Sequence, residues 1–185
     1  MIDINDIKKG MALEIEGGIY QVVDFLHVKP GKGSAFMKTT LKNLRTGSNV
    51  ERTFNTTVKF EKAELERSHV QYLYNTGEAF CFMNVETFDQ FELSNAQIGD
   101  NKYYLTENLE VDIIQYHGEL LGVILPEKIE MTLVEVEPAV KGNTSTGATK
   151  NAYTETGLLL RVPLFIEQGE RVIVTTLDGK YYSRA

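Results

Sequence analysis

In Leu13-Glu14-Ile15-Glu16-Gly17-Gly18-Ile19-Tyr20 apolar and charged residues alternate, two glycines interrupt, and a second apolar run begins. A period of two places Leu13 and Ile15 on one face of a strand and Glu14 and Glu16 on the other. Gly17-Gly18 then offers a hairpin turn into a strand over 19–28. The pattern recurs outward from here. Strands are expected at 35–44 and 49–54 around a turn at Arg45-Thr46-Gly47-Ser48, and at 70–74 and 78–83 around Asn75-Thr76-Gly77. Another pair, 110–116 and 120–125, flanks His117-Gly118, and the last third repeats the theme at 129–136, 158–166 and 171–176 before Asp178-Gly179. Only 94–108 reads as partly helical, with Ser94 as N-cap. Many short strands with regular turn signals predict an all-β chain of barrels or sandwiches.

The charge of the 185 residues is unevenly spread. Residues 1–64 hold 10 Lys+Arg against 8 Asp+Glu, and residues 65–128 hold 3 against 11. That shift near residue 65, with Pro126 between two strand runs, divides the chain into segments 1–64, 65–127 and 128–185, each the size of a small barrel. Net charge is −7, yet within 29–52 Lys29, Lys32, Lys38, Lys42, Arg45 and Arg52 face only Glu51. Such a stretch is an electrostatic footprint for phosphate, or simply a solvated face. Cys81 is the only cysteine, so no intramolecular disulfide framework is available and a reducing cytoplasm is expected. No signal-peptide pattern opens the sequence, and the aliphatic run 120–125 is too short to span a bilayer, so no membrane partner is expected.

One segment carries chemistry. In Lys29-Pro30-Gly31-Lys32-Gly33-Ser34-Ala35-Phe36, Pro30 biases Lys29 towards extended geometry, and Gly31 and Gly33 leave Lys32 without neighbouring side chains. A hairpin tip with one projecting lysine is one reading, and an ordinary turn with a solvated lysine is the other. A phosphate-binding P-loop is excluded, since Gly33 stands where the magnesium-binding hydroxyl belongs and Leu26 where the first glycine belongs. His27, His69 and His117 show no ligand spacing with Cys81 or a close acidic partner, so neither metal nor cofactor is expected. Cys81, the Tyr103-Tyr104 pair and the aromatics of 80–91 read as core, and no catalytic set converges, so the chain does not read as an enzyme. The polar run 142–151 is either filler or a binding loop; composition does not choose.

Lys29-Pro30-Gly31-Lys32-Gly33 with Ala35-Phe36 resembles the tip motif of bacterial translation elongation factor P. The resemblance continues through Leu44-Arg45-Thr46-Gly47, Tyr72-Leu73-Tyr74, Phe82-Met83-Asn84, Glu86-Thr87-Phe88, Glu137-Pro138 and Lys141-Gly142. It ends with Glu155-Thr156-Gly157, Val162-Pro163-Leu164-Phe165, Gly169-Glu170 and Tyr181-Tyr182-Ser183-Arg184, in family order across nearly the whole chain.

The resemblance implies an SH3-like (KOW-like) barrel followed by two OB-fold barrels in an L shape. It implies binding to the ribosome between the P and E sites at consecutive prolines, probed by Lys32, the lysine that a modifying enzyme extends. Lys29, Lys42 and Arg45 would meet tRNA or rRNA phosphates beside the P-site tRNA, with Pro30, Gly31, Gly33 and Ser34 shaping the tip. Gly142, Asn143 and Thr144 would meet E-site mRNA. Asn143 departs from the family's usual aspartate, and Thr175 stands where Asp or Asn is common. The group carried by Lys32 stays open between β-lysyl, an aminopentanol type, or none. The expected factor is a monomer. An elongation factor P-like paralogue and another OB-fold RNA-binding protein are the alternatives; the hypusine-bearing relative resembles only the first two segments.

Overall fold

The computed structural model describes residues 1–139 and 147–185. The expected all-β architecture is present as three sheets. β1 (Ile2–Asp3), β2 (Ala12–Ile15), β3 (Gly18–Val28), β4 (Phe36–Asn43), β5 (Asn49–Asn55) and β6 (Lys59–Lys62) form the first, in the order β1-β6-β2-β3-β4-β5. β7 (Glu66–Asn75), β8 (Ala79–Asn84), β9 (Gln90–Ser94), β10 (Glu110–Tyr116) and β11 (Glu119–Ile124) form the second, in the order β11-β10-β7-β8-β9. β12 (Lys128–Val136), β13 (Thr149–Thr154), β14 (Leu159–Pro163), β15 (Arg171–Thr175) and β16 (Lys180–Arg184) form the third, in the order β14-β13-β12-β15-β16.

The helical expectation at 94–108 holds in part. α1 (Asn95–Ile98) is a single turn, followed by a 3-10 stretch at Gly99–Tyr104. Ser94 caps it reciprocally: its hydroxyl accepts from the Gln97 N–H at 3.2 Å, and the Gln97 side chain accepts from the Ser94 N–H at 2.8 Å. Among the described residues no helix is long and apolar enough to cross a membrane.

The described chain divides into two compact units, Met1–Arg67 with Ile114–Gly122, and Ser68–Ile113 with Val123–Ala185. In the first, Leu13, Ile15, Val22, Met37 and Leu41 point into one core with Ile4, Ile7 and Phe60. Ala12, Ile19 and Ala63 bury the opposite face under Tyr116 and Leu121, which explains why β2 exposes only Glu14. In the second unit, Ile129, Met131 and Leu133 of β12 alternate inward against Val172 and Val174 of β15. Phe82 is fully buried between Tyr72 and Phe91, ring centroids 5.6 and 5.9 Å away. Cys81 is buried, as its apolar neighbours suggested.

Three local expectations are corrected. The first hairpin turns at Glu16-Gly17, with φ of 51° and 80°, and Gly18 already belongs to β3. There a Cβ on Gly18 would lie 2.6 Å from the Tyr20 ring, so close packing rather than turning requires that glycine. The run 142–151 is not all loop, because β13 begins at Thr149 and turns Lys150 and Ala152 inward. Phe88, read as core, is 70% exposed with φ 62°, in the turn between β8 and β9.

Gly179 shows how backbone and packing jointly fix a residue. Its φ is +66°, and a Cβ there would sit 2.6 Å from the Tyr104 hydroxyl. Gly179→Ala is expected to destabilise by about 1–2 kcal/mol, combining left-handed strain with the overlap. Urea unfolding of Gly179→Ala with and without Tyr104→Phe checks this: removing the hydroxyl should recover part of the loss, and no recovery would leave backbone strain as the whole cause.

Candidate nucleic-acid interface

β3 and β4 pair antiparallel from Tyr20↔Asn43 to Val28↔Phe36, with an irregularity between Val22 and Asp24. Val23 is the extra residue there and is 41% exposed. Beyond it, Leu26 and His27 are exposed, and Met37 is the last buried residue before the tip. Core packing therefore reaches the outer end of this hairpin through β4, while the facing end of β3 is largely exposed.

Residues 29–34, which include Lys29, Pro30, Gly31, Lys32, Gly33 and Ser34, close the hairpin and are all exposed. The two glycines do different work. Gly33 takes φ +104°, a conformation that disfavours any side chain. Gly31 does not take positive φ, and nothing lies within 4 Å of where its Cβ would be. Gly33 thus uses its backbone freedom, and Gly31 keeps the space beside Lys32 empty. Lys32 makes no hydrogen bond or ion pair among the described residues.

The cations of 29–52 separate into two groups. Lys38 and Lys42 lie on the outward face of β4, alternating with buried Met37, Thr39 and Leu41. Like Lys29 and Lys32 they have no ion-pair partner among the described residues. At strand rise the two are roughly 13 Å apart, about two phosphate spacings along a nucleic-acid strand. Arg52 is bound to Glu16 at 3.2 Å and lies 5.2 Å over the Phe54 ring. Arg45 is more firmly held: it bonds Glu119 through Nε at 3.0 Å and Nη2 at 3.1 Å, and donates to the Gly17 carbonyl at 2.8 Å. Hydrogen bonding to Glu119, then its charge, raises the Arg45 pKa still further. Any phosphate that Arg45 meets must compete with these partners. Lys38 belongs to the basic stretch 29–52, and its spacing from Lys42 puts both on one face of the strand.

The expected contact at Gly142, Asn143 and Thr144 lies outside the described residues. Thr175 donates to Asp178 at 2.5 Å, and Asp178 accepts the Lys180 N–H at 3.2 Å, so the threonine organises the last turn. His69 differs from the sequence expectation. Sheet pairing brings it against two carboxylates, Asp112 at 2.6 Å from Nδ1 and Glu110 at 2.9 Å from Nε2. Both ring nitrogens are engaged, which leaves none for a metal.

Comparison with known proteins places all three sheets. Residues 3–60 match the elongation factor P KOW-like domain, residues 65–123 the elongation factor P OB domain, and residues 129–184 the elongation factor P C-terminal domain. An elongation factor P from Moorella thermoacetica is 49% identical over 185 residues, spanning 100% of both chains. A solved structure described as eukaryotic translation initiation factor 5A from Methanococcus jannaschii superposes with a TM-score of 0.54 at 24% identity, covering 67% of this chain and 93% of that one. A second, a translation initiation factor 5A family protein from Naegleria fowleri, gives 0.52 at 20% identity, covering 67% and 96%. At those identities the two structures speak to fold alone.

Lys38→Gln and Lys42→Gln should leave the urea midpoint unchanged and, if these lysines meet phosphates, each lower the salt slope of ribosome binding by about one. Arg45→Gln should instead lower the urea midpoint, because Glu119 and the Gly17 carbonyl lose their donor; an unchanged midpoint would show that those bonds contribute nothing to folding. For His69, hydrogen bonds donated to the Asp112 carboxylate and then to the Glu110 carboxylate raise the pKa above 6.5. A raised folded pKa favours the folded state most when the ring is protonated. The stabilisation is therefore complete below pH 6.5 and is lost as pH rises through the higher folded value. The gap in unfolding free energy between wild type and His69→Gln, measured across pH, should shrink as pH rises over that window.

Proposed function

The chain belongs to the elongation factor P family of translation factors, and from that premise we propose that it binds the ribosome between the P and E sites and promotes peptide-bond formation at consecutive prolines. The observation that carries this reading is the exposed Lys32 at the end of the β3–β4 hairpin, with Gly31 and Gly33 beside it and no partner among the described residues. A long flexible cation on a narrow paired support suits entry into an RNA-walled crevice.

Proline is a poor partner in peptide-bond formation, and the ribosome supplies the reacting site. Holding the end of the P-site tRNA reduces the orientational entropy lost on the way to the transition state, without any reacting group from this chain. The protein therefore acts as a positioning factor rather than an enzyme. Lys32 supplies the contact deep in the site, extended by a modifying enzyme, and Lys29, Lys38 and Lys42 meet backbone phosphates. Arg45 can join them only by releasing Glu119. Gly142, Asn143 and Thr144 face E-site mRNA in this reading, and the working domains are 1–64, 65–127 and 128–185, in the cytoplasm.

The test is the rate of tri-proline peptide synthesis on purified ribosomes. Lys32→Ala should keep the wild-type melting temperature, since an exposed turn lysine buries little, and should lose the stimulation. Full stimulation by the folded variant would remove Lys32 from the mechanism. Intact mass of the natively produced protein identifies the group on Lys32.

A further inference from the structure

A cleft of about 370 Å³ opens within the second unit, bordered by Tyr72 and Tyr74 of β7, Glu107 of the turn before β10, and Glu155 just after β13. Among the described residues no lysine or arginine lines it. Tyr72 is only 7% exposed, its ring packed 5.9 Å from Phe80 and 5.6 Å from Phe82. A phenol buried this far ordinarily finds a hydrogen-bond partner. The Tyr72 hydroxyl has none among the described residues and is not sealed off either, and Tyr72 is one of the residues that border the cleft. Burial first, then Cys81, and last the Glu107 charge hold this phenol in its protonated form.

The carboxylates are also left over. Glu107 makes no hydrogen bond or ion pair among the described residues. Glu155 accepts the Thr132 N–H at 3.4 Å through one oxygen only. Two acceptor-only groups, a phenol and a second tyrosine call for a ligand with positive charge and hydrogen-bond donors. An anion would meet only like charge, the more so because residues 65–128 carry 11 acidic against 3 basic side chains. Guanidinium is best recognised by a carboxylate that offers both oxygens. Glu107 has both oxygens open, but Glu155 offers one. Acceptors spread over two carboxylates and a phenol suit the three donors of a compact ammonium better than one planar fork.

We propose that this cleft binds a primary ammonium group on a flexible aliphatic chain, with Glu107 and Glu155 as countercharge and the Tyr72 hydroxyl as an additional acceptor. The ligand is either a free polyamine or the side chain of a lysine on a partner protein; the recognising chemistry is the same. The site is independent of Lys32 and of the positioning role proposed above.

The full-length protein is titrated by NMR with four probes: spermidine, Nα-acetyl-lysine methylamide, Nα-acetyl-arginine methylamide and the uncharged Nα-acetyl-norleucine methylamide, at constant ionic strength. The Tyr72 ring and Thr106 amide signals are followed. Saturable shifts are expected with spermidine or the lysine amide and none with norleucine. Saturation by spermidine alone assigns a free polyamine, and saturation by the lysine amide admits a protein side chain; either supports the site. Glu107→Gln should weaken binding about fivefold, as for one partly screened ion pair. Tyr72→Phe, which keeps the buried ring, should weaken it about threefold with an unchanged melting temperature. The proposal is overturned if no probe saturates, if norleucine or sodium chloride reproduces the shifts, if the arginine amide binds more tightly than the lysine amide, or if Glu107→Gln binds as wild type.

Discussion

The ladder between β3 and β4 is the constraint on which the first unit depends. Its rungs place Val22, Met37 and Leu41 in the core, and residues 29–35 extend beyond the last rung, Val28↔Phe36. The same backbone hydrogen bonds thus serve two ends. On the β4 side apolar burial continues to Met37, one rung from the end, while on the β3 side it fades beyond Phe25. Val23 is the unpaired residue on the β3 side. An extra residue in one strand increases local twist and re-aims what lies beyond it.

Electrostatics then sorts the cations. Arginines near the folded body are consumed internally, Arg45 by Glu119 and the Gly17 carbonyl, and Arg52 by Glu16 and the Phe54 ring. Lysines on the hairpin and its outer face are left without intramolecular partners among the described residues. The division follows their chemistry. Guanidinium makes several directed bonds and is useful for fixing a loop, whereas a single mobile ammonium is better kept for a partner that is not yet present. The second unit shows the inverse, with carboxylates and a buried phenol left over beside a cleft.

Much of this was legible in the sequence because period-two alternation and turn residues act locally. The hairpins at 75–77 and 117–118 were placed by Asn75-Thr76-Gly77 and His117-Gly118, where Gly77, His117 and Gly118 all take positive φ. Ser94 was readable as a cap for the same reason, since its partner Gln97 is three residues away. What escaped depends on distant pairing. β13 was hidden because Lys150 and Thr154 are polar yet face inward, and the two-residue β1 has no alternation to detect. Asp112 and Glu110 lie over forty positions from His69, and Glu119 lies 74 from Arg45, so composition near either residue was silent about its neighbours. The tip was recognisable as a motif, but the division of labour between Gly31 and Gly33 required backbone angles.

The paired construction of the hairpin also limits how its reach can vary. One strand cannot be lengthened alone without creating another bulge, so growth must add a residue to both β3 and β4. Each added rung extends the tip by about 3.4 Å and exchanges the two faces, so restoring the original facing takes two rungs, or about 6.8 Å. The distance between barrel and lysine is therefore a stepped quantity, and fine adjustment of reach falls to the side chain at the end.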